Sequence, residues 1–214
     1  MNIKKIVILL YISYKMTGCS DPTMLSTIDP KIKNISLNSL CLLPINNTAI
    51  SKEENSKIIK LFSNGFKIKN PAIKLLKNEE LSAKLINYKI QNNVKHIFEG
   101  PIANRTFNIS VAKQVLDSLN VDGILYLELE DVQRRTGSFM AKQPGTTKLT
   151  INTYLISSQS TNILWKSEVM VSKRNKVVIT PGKNYYDDDI KSAPPLMDVL
   201  EIGLNKVIRT IPTL

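Results

Sequence analysis

The chain has 214 residues, of which 43% are hydrophobic and 22% charged, a composition typical of a folded globular protein and not of a disordered or fibrous one. Its formal net charge is +11, but the lysines are spread along the chain without interleaved aromatic residues, which argues against nucleic-acid binding. A solvated basic surface is favoured, and attraction to anionic lipid headgroups or to an anionic cell-wall polymer stays open.

The start of the chain has the pattern of an export signal. Lys4 and Lys5 form a basic beginning, residues 6–14 form a short apolar run, and the small residues 17–18 precede Cys19. The apolar run is far shorter than the roughly 20 residues of a membrane-spanning helix. This segment is therefore predicted to be a secretory signal.

The residues around Cys19 resemble the lipobox of bacterial lipoproteins. The resemblance implies that residues 1–18 are removed and that Cys19 is acylated on its thiol and on its new amino group. Met16 stands where the family prefers leucine and Lys15 interrupts the approach, so an ordinary cleaved signal and an uncleaved anchor are the alternatives. Ser20 stands where aspartate would retain such a protein at the inner membrane. The resemblance therefore implies an outer-membrane lipid anchor, with the protein facing the periplasm.

The remaining chain is predicted to consist of a tether and one domain. Residues 19–38 are polar and lack a sustained period, which predicts a lipidated tether, and residues 39–214 have the length of an ordinary α/β domain. Residues 39–45 form an apolar run that predicts a buried strand. Ser51 and Glu54 have the spacing of a capping box, which predicts that a helix follows.

The middle of the chain predicts two further helices. Residues 78–98 begin with an asparagine and two early glutamates and continue with apolar residues near helical spacing. Asn108 or Ser110 begins the next helix, which runs into a turn at residues 120–123.

The second half predicts a three-stranded meander and a closing helix. Apolar and polar residues alternate over residues 125–129, again over 149–155, and again over 163–171. The short polar segment 157–162 joins the last two strands, which favours antiparallel pairing. Residues 196–208 have apolar residues at helical spacing. The predicted fold is α+β, an α/β sandwich with helices packed on a mainly antiparallel sheet.

Three short motifs carry a resemblance at the level of the fold. Residues 122–125 (Asp-Gly-Ile-Leu) open the meander, 153–156 (Thr-Tyr-Leu-Ile) precede its last turn, and 163–165 (Ile-Leu-Trp) follow that turn. With the order of the elements, they resemble periplasmic lipoproteins related to the curli secretion protein CsgG, the penicillin-binding-protein activator LpoB and the TolB N-terminal domain. The turn at 157–162 departs from the acidic, glycine-containing turn of many relatives. The resemblance implies a noncatalytic module that binds an envelope protein or assembles with copies of itself.

A secretion channel of the CsgG type is the alternative function. Each subunit would then have to supply membrane-spanning hairpins of about 9–11 residues per crossing with alternating apolar and polar faces. Residues 134–148 contain four basic residues and Pro144, which suits a lipid-facing hairpin poorly. The favoured function is a membrane-anchored, noncatalytic module in cell-envelope or secretion machinery.

The first candidate surface for a partner is the segment 133–147. It is long for a hairpin connection, carries Arg134 and Arg135, and offers Phe139 and Met140 as apolar contacts. A variable, flexible loop is the alternative interpretation.

The second candidate surface is the segment 184–189, Asn-Tyr-Tyr-Asp-Asp-Asp. Tyr185 and Tyr186 are suited to anchoring an interface. The three aspartates predict an acidic solvated loop and not a Ca²⁺ site, because the glycine and the distal glutamate of an EF-hand loop are missing.

The sequence shows no catalytic pattern, and we predict no catalytic residue, cofactor or metal. A glycine-rich phosphate loop, His/Cys metal spacing and a nucleophile elbow are all missing. Cys41 is predicted to be a small buried hydrophobe and not a nucleophile paired with His96, the single histidine. Glu128 and Glu130 share the wet face of one strand, where a solvated surface is favoured over the carboxylate pair of a periplasmic hydrolase.

Overall fold

The computed structural model describes residues 23–43, 45, 50–99, 106–138, 143–160, 162–175 and 192–214. Within these ranges the chain forms eight strands: β1 (Thr23–Ile28), β2 (Ser39–Leu42), β3 (Lys74–Leu75), β4 (Phe98–Glu99), β5 (Thr106–Phe107), β6 (Gly123–Arg135), β7 (Thr146–Ser157) and β8 (Ile163–Arg174). The helices in the same ranges are the 3-10 helix Pro30–Asn34 and the α-helices α1 (Lys52–Lys69), α2 (Asn78–Asn87), α3 (Gln91–Lys95), α4 (Ile109–Leu119) and α5 (Leu196–Thr210). None of these described helices is both long and apolar enough to cross a membrane.

Six of the strands form one mixed sheet in the order β1-β8-β7-β6-β2-β3. The antiparallel pairs are β1 with β8, β8 with β7, and β7 with β6. β2 is parallel to both of its neighbours, β6 and β3. β4 and β5 form a separate antiparallel pair. The fold is therefore α+β, with helices packed on a mainly antiparallel sheet, which confirms the predicted class and the predicted meander.

The sheet carries a hydrophobic core on each of its faces. On one face α1 and α5 cover side chains such as Ile151 and Trp165. On the other face α2 and α4 cover side chains such as Ile124 and Ile156. Because successive residues of a strand point to opposite faces, the central strands supply both cores. The sandwich thus has three layers, with the sheet in the middle.

Side chains cap two helices where the sequence predicts their starts. The Ser51 hydroxyl accepts a hydrogen bond from the Glu54 N–H at 3.2 Å, and the Glu54 carboxylate accepts one from the Ser51 N–H at 2.8 Å. This is the predicted capping box at the start of α1. Asn108 caps α4, because its side-chain oxygen accepts a hydrogen bond from the Val111 N–H. Of the two predicted starts for this helix, the structure therefore has the earlier one.

The single helix predicted over residues 78–98 is wrong. α2 ends at Asn87, and Lys89 adopts the left-handed region with a φ of 54°. The Ile90 N–H then donates to the Leu85 carbonyl at 3.2 Å, a pattern that closes helix ends. The segment consequently forms two short helices before it enters β4.

The tether predicted over residues 19–38 is wrong from residue 23 onward. β1 pairs with β8 over all six of its residues, and the 3-10 helix and the segment that follows it bury Ile32 and Leu37. The Trp165 Nε1–H donates to the Ser26 hydroxyl at 3.1 Å, across 139 residues of sequence. Local periodicity could not show this strand, because its hydrogen-bonding partner lies so far along the chain.

Asp122 joins the starts of two neighbouring parallel strands. One oxygen of its carboxylate accepts hydrogen bonds from the N–H groups of Asn38 and Ser39, each at 2.9 Å, and from the Ser39 hydroxyl at 3.0 Å. The Asn38 N–H makes the largest contribution to holding the pKa of Asp122 below its ordinary value of 3.8. The carboxylate thus fixes the start of β2 beside the start of β6.

Asp122→Ala is expected to lower the free energy of unfolding by about 2 kcal/mol at neutral pH, since hydrogen bonds to a charged group are worth roughly 1.5–3 kcal/mol. The folded-state pKa lies below the ordinary 3.8, so this contribution is present above that pH and is lost as the pH falls through the folded-state pKa. Urea unfolding at several pH values measures both effects. The matched control is Asp117→Ala, at an exposed position of α4. Equal losses in the two variants, or a difference from wild type that persists in acid, would contradict this role for Asp122.

Candidate functional site

Arg134 and Arg135 lie at the end of β6 and not in the loop that the sequence predicts. Each is exposed and pairs with a threonine of β7. Both ends of the predicted loop over residues 133–147 therefore belong to strands, residues 133–135 to β6 and residues 146–147 to β7. The β-branched threonines at the start of β7 favour this extension of the ladder. The two arginines are held by a strand, which fixes their backbone positions.

A β-bulge in β6 decides which face each arginine occupies. The register of β6 against β7 shifts at Asp131, which has a φ of 50°. The extra residue brings Val132 onto the face covered by α1 and α5. Because side chains alternate along the strand, Arg134 lies on the same face as Val132, and Arg135 lies on the opposite face.

Arg134 lies close to the first turn of α1. The N–H and the hydroxyl of Ser51 are the main causes that hold the pKa of Glu54 below its ordinary value, and the charges of Lys57 and Arg134 lower it further. Arg134 is therefore an exposed cation at the junction between the long hairpin and α1.

The other predicted site residues lie outside the described part of the chain. They are the lipidation residue Cys19 and the contact residues Phe139, Met140, Tyr185 and Tyr186. Their roles stay predictions. Of the predicted partner-contact residues, only the two arginines have a described position.

One sheet face is apolar beneath α4 and polar further along the strands. Glu128 lies opposite Asn152, which lies opposite Glu168, and Glu130 lies opposite Thr150. We call these five residues the polar sheet face. Glu128 and Glu130 share it as predicted, and both are half-buried. The side-chain oxygens Asn152 Oδ1 and Thr150 Oγ1 are buried without a hydrogen-bond partner in the described part of the chain. Buried polar atoms of this kind cost stability.

An aromatic cluster borders the polar sheet face. The ring of Phe98 lies 5.7, 5.1 and 4.6 Å, between centroids, from the rings of Phe107, Tyr126 and Tyr154 respectively. The Lys166 ammonium lies 5.8 Å from the centroid of the Tyr154 ring. The tilted contacts add specific packing to the apolar burial at this end of the sheet.

The thiol and the imidazole considered as catalytic groups lie in contrasting environments. Cys41 is fully buried in β2, and desolvation raises the pKa of its thiol to about 12, so the reactive thiolate is disfavoured. This confirms Cys41 as a buried hydrophobe. His96 is exposed and caps the C-terminal end of α3. Among the described residues, no group of three or more His, Cys, Asp or Glu side chains is placed to hold a metal ion.

The first strand forms an exposed apolar edge that the sequence analysis missed. Met24, Leu25 and Ile28 are 46%, 62% and 49% exposed, and β1 is the end strand of the sheet in the described structure. Lys31 and Lys33 follow in the 3-10 helix and are also exposed. We call these five residues the β1 surface. Exposed apolar side chains on an edge strand are typical of a contact surface.

A substitution of Thr153 tests the cost of an unpaired hydroxyl. This residue lies on the face of β7 opposite to the polar sheet face. It is fully buried, and its Oγ1 has no hydrogen-bond partner within the described ranges. Thr153→Val is expected to raise the free energy of unfolding by about 1 kcal/mol, because valine has nearly the same shape and removes the unsatisfied group. Urea unfolding measures the change.

Thr147→Val in the same strand is the matched control. Thr147 is equally buried, but its hydroxyl donates to the Pro194 carbonyl at 2.7 Å. This variant is expected to lose about 1 kcal/mol, since a made hydrogen bond disappears. A loss of stability in Thr153→Val would show that its hydroxyl does have a partner.

The fold and these surfaces define an α+β domain with a polar sheet face and an apolar edge strand. No protein-family model matches the chain, and no curated protein matches it.

Several solved structures have a similar coarse arrangement. The PelC dodecamer of Paraburkholderia phytofirmans is 12% identical, with a TM-score of 0.46 over 88% of this chain and 96% of that one. Lipoprotein GNA1162 of Neisseria meningitidis is 10% identical, with a TM-score of 0.41 over 80% and 95%. The LpoB C-terminal domain of Salmonella enterica is 14% identical, with a TM-score of 0.37 over 64% and 84%. At these values no residue role or function passes from those proteins to this chain.

Proposed function

We propose that this chain is a lipid-anchored module of the bacterial cell envelope that binds a partner protein and has no catalytic activity. Residues 1–18 are the signal, and Cys19 carries the acyl groups that hold the domain at the outer membrane, facing the periplasm. The lipobox-like residues before Cys19 support the anchor.

The single observation that carries the proposal is how soon the fold begins after Cys19. Only residues 20–22 separate Cys19 from Thr23, the first residue of β1. An extended chain spans at most about 3.6 Å per residue, so β1 starts within about 14 Å of the anchor. The domain is thereby held at the membrane surface, where its effective concentration toward a membrane-bound partner is raised.

Arg134 and Arg135 supply the proposed contact with the partner. Both are exposed, and they occupy the two faces at the end of one strand. Guanidinium groups bind carboxylates through two parallel hydrogen bonds, so the partner surface is acidic. A second copy of this chain counts as a partner if it presents such a surface.

Chemical crosslinking in the membrane fraction of a Gram-negative host tests the proposal. Arg134→Glu/Arg135→Glu is expected to lose the crosslinked complexes of the wild-type chain. Lys60→Glu/Lys113→Glu makes the same change of charge at exposed positions of α1 and α4 and is expected to keep them. Cys19→Ala is expected to lose them as well, because the anchor is gone.

Two outcomes would contradict the proposal. The first is an unchanged set of complexes in both the Cys19→Ala variant and the double-arginine variant. The second is turnover of a cell-wall substrate by the purified chain that is lost in Glu128→Gln, which would favour a hydrolase.

A further inference from the structure

We infer that the β1 surface rests on the membrane itself: Met24, Leu25 and Ile28 enter the interface of the bilayer, and Lys31 and Lys33 meet anionic phospholipid headgroups. This inference deepens the proposed function and rests on its acylated Cys19. It assigns a membrane contact to folded residues and not to the acyl groups alone.

The position of the anchor supports the membrane as the occupant of this surface. Residues 20–22 are too few to carry β1 beyond about 14 Å from Cys19. The headgroup region and the outer acyl boundary together extend over a comparable depth, and interfacial elements bury their apolar face by about 5–10 Å. Thr23, the first residue of β1, is therefore held near the lipid, and the orientation that we infer lays the rest of the strand along it.

The side chains of β1 suit an interface. The strand contains no charged residue and no proline, whereas exposed edge strands are commonly protected by such residues. Leu25 lies on one face of the strand and Met24 and Ile28 lie on the other. β1 is the edge strand of the described sheet. If this edge faces the membrane, the side chains on both faces of β1 contact the same lipid surface.

The charges around β1 are compatible with an anionic membrane. Asp29 is occupied within the fold, because its carboxylate accepts hydrogen bonds from the Lys31 N–H at 2.9 Å and from the Asn162 side chain at 3.2 Å. Glu168, opposite Leu25, lies 3.9 Å from the Lys166 ammonium. Glu168 is thus paired with a cation, whereas Asp29 is satisfied by neutral donors and keeps its negative charge.

The remaining charges give the surface its sign. Lys31 and Lys33 contribute two positive charges and Asp29 one negative charge, so these three residues have a net charge of +1, and phospholipid surfaces that carry phosphatidylglycerol are negative. The attraction adds to the apolar contact, which is the larger part of the interaction.

The orientation has a consequence for the rest of the domain. If β1 lies along the membrane, the six-stranded sheet stands upright on it, and β3 forms the far edge. At about 4.8 Å between strands, β3 lies roughly 24 Å above β1. The helices on both faces then stand beside the sheet and stay open to the periplasm.

A fluorescent label on a single introduced cysteine reports the contact. Leu25→Cys is labelled with an environment-sensitive dye in the full acylated chain, and the protein is reconstituted into vesicles of phosphatidylethanolamine and phosphatidylglycerol that contain brominated lipid. Cys41 does not compete for the dye, because it is buried and its thiol pKa is about 12. Ile68→Cys, at an 83% exposed position of α1, is the control. The label at 25 is expected to be quenched several-fold more than the label at 68.

A second set of variants tests the apolar side chains directly. Met24→Thr/Leu25→Thr/Ile28→Thr keeps residues that favour strands and removes the apolar contact. In the mature chain with Cys19→Ser, binding to the same vesicles is expected to fall by about tenfold or more, as the loss of three buried apolar side chains implies. Ile68→Thr/Ile86→Thr, at exposed helical positions, is expected to leave binding unchanged. Circular dichroism is used to check that both variants are folded.

The intact mass of each preparation separates failure of this inference from failure of the proposed function. If the chain is acylated and neither label is quenched, the anchor stands and the membrane contact is overturned. If the label at 25 moves to an apolar environment without quenching by lipid, and Leu25→Cys forms disulfide dimers, the occupant is a second copy and the inference is overturned. If no acyl group is found, the proposed function fails, and quenching at position 25 with vesicles added from outside still decides the contact.

Discussion

Trp165→Ala is expected to lower the free energy of unfolding by about 3–5 kcal/mol, as large-to-small changes of a buried aromatic do. Trp165 is fully buried in the core beneath α5, and its Nε1–H donates to Ser26 of β1. The variant loses the packing of the ring and also a side-chain hydrogen bond between β8 and β1, which adds to the backbone pairing of the two strands. The free energy of unfolding of a domain is about 5–15 kcal/mol in total, so the expected loss is a large share of it. Circular dichroism in urea is the measurement, because the chain has no other tryptophan.

Trp165→Phe separates the two contributions at this position. Phenylalanine keeps most of the apolar contact and removes the hydrogen bond to Ser26, so a loss of about 1–2 kcal/mol is expected. If the alanine variant lost no more than the phenylalanine variant, Trp165 would not be packed as the structure shows.

Ile58→Ala is expected to cost about 2–5 kcal/mol, because it leaves a cavity between α1 and the sheet. Ile58 is 1% exposed and belongs to the core shared by α1 and α5. Ile68 stands in the same helix and is 83% exposed, so Ile68→Ala is the matched control. Its effect is expected to stay within about 0.5 kcal/mol. Urea unfolding of the two variants measures the difference, and similar losses at both positions would contradict the orientation of α1.

The elements that the sequence predicts well are those with local signals. The hydrogen bonds between Ser51 and Glu54 need only one turn of helix to form. Leu125, Leu127 and Leu129 alternate with polar residues, and this pattern places them on the core face of β6 without reference to any other strand.

The elements that the sequence misses depend on distant or single-residue features. β1 is a strand because it pairs with β8, which lies more than 130 residues later in the chain. Its serine and threonines are typical of a linker, so its own composition does not predict a strand. The bulge at Asp131 adds one residue to β6 and so changes the face of every later side chain. Lys89 interrupts a helix pattern that its neighbours continue. The left-handed backbone conformations of Asp131 and Lys89 leave no mark on the periodicity of the sequence.

The candidate surfaces show the same division. Alternation within one strand predicts correctly that Glu128 and Glu130 share a face, but the predicted solvated surface is half-buried. Their neighbours Asn152 and Glu168 join the same row only through the register of three strands, which the sequence does not give. The prediction of a tether over residues 19–38 includes residues 23–28 and therefore does not reveal the β1 surface.

The position of β1 changes the expected mode of action. A tether of 20 residues would let the domain search a large volume for its partner. With the acyl anchor proposed at Cys19, the start of β1 at Thr23, four positions later, would keep the domain at the membrane in a restricted range of orientations. The partner is then expected at the same membrane surface.

The intact mass of the protein purified from the membranes of a Gram-negative host tests the lipid anchor. We expect a chain that begins at Cys19 and carries acyl groups on its thiol and its amino group. A chain that retains residues 1–18, or one that begins elsewhere and carries no acyl group, would contradict it.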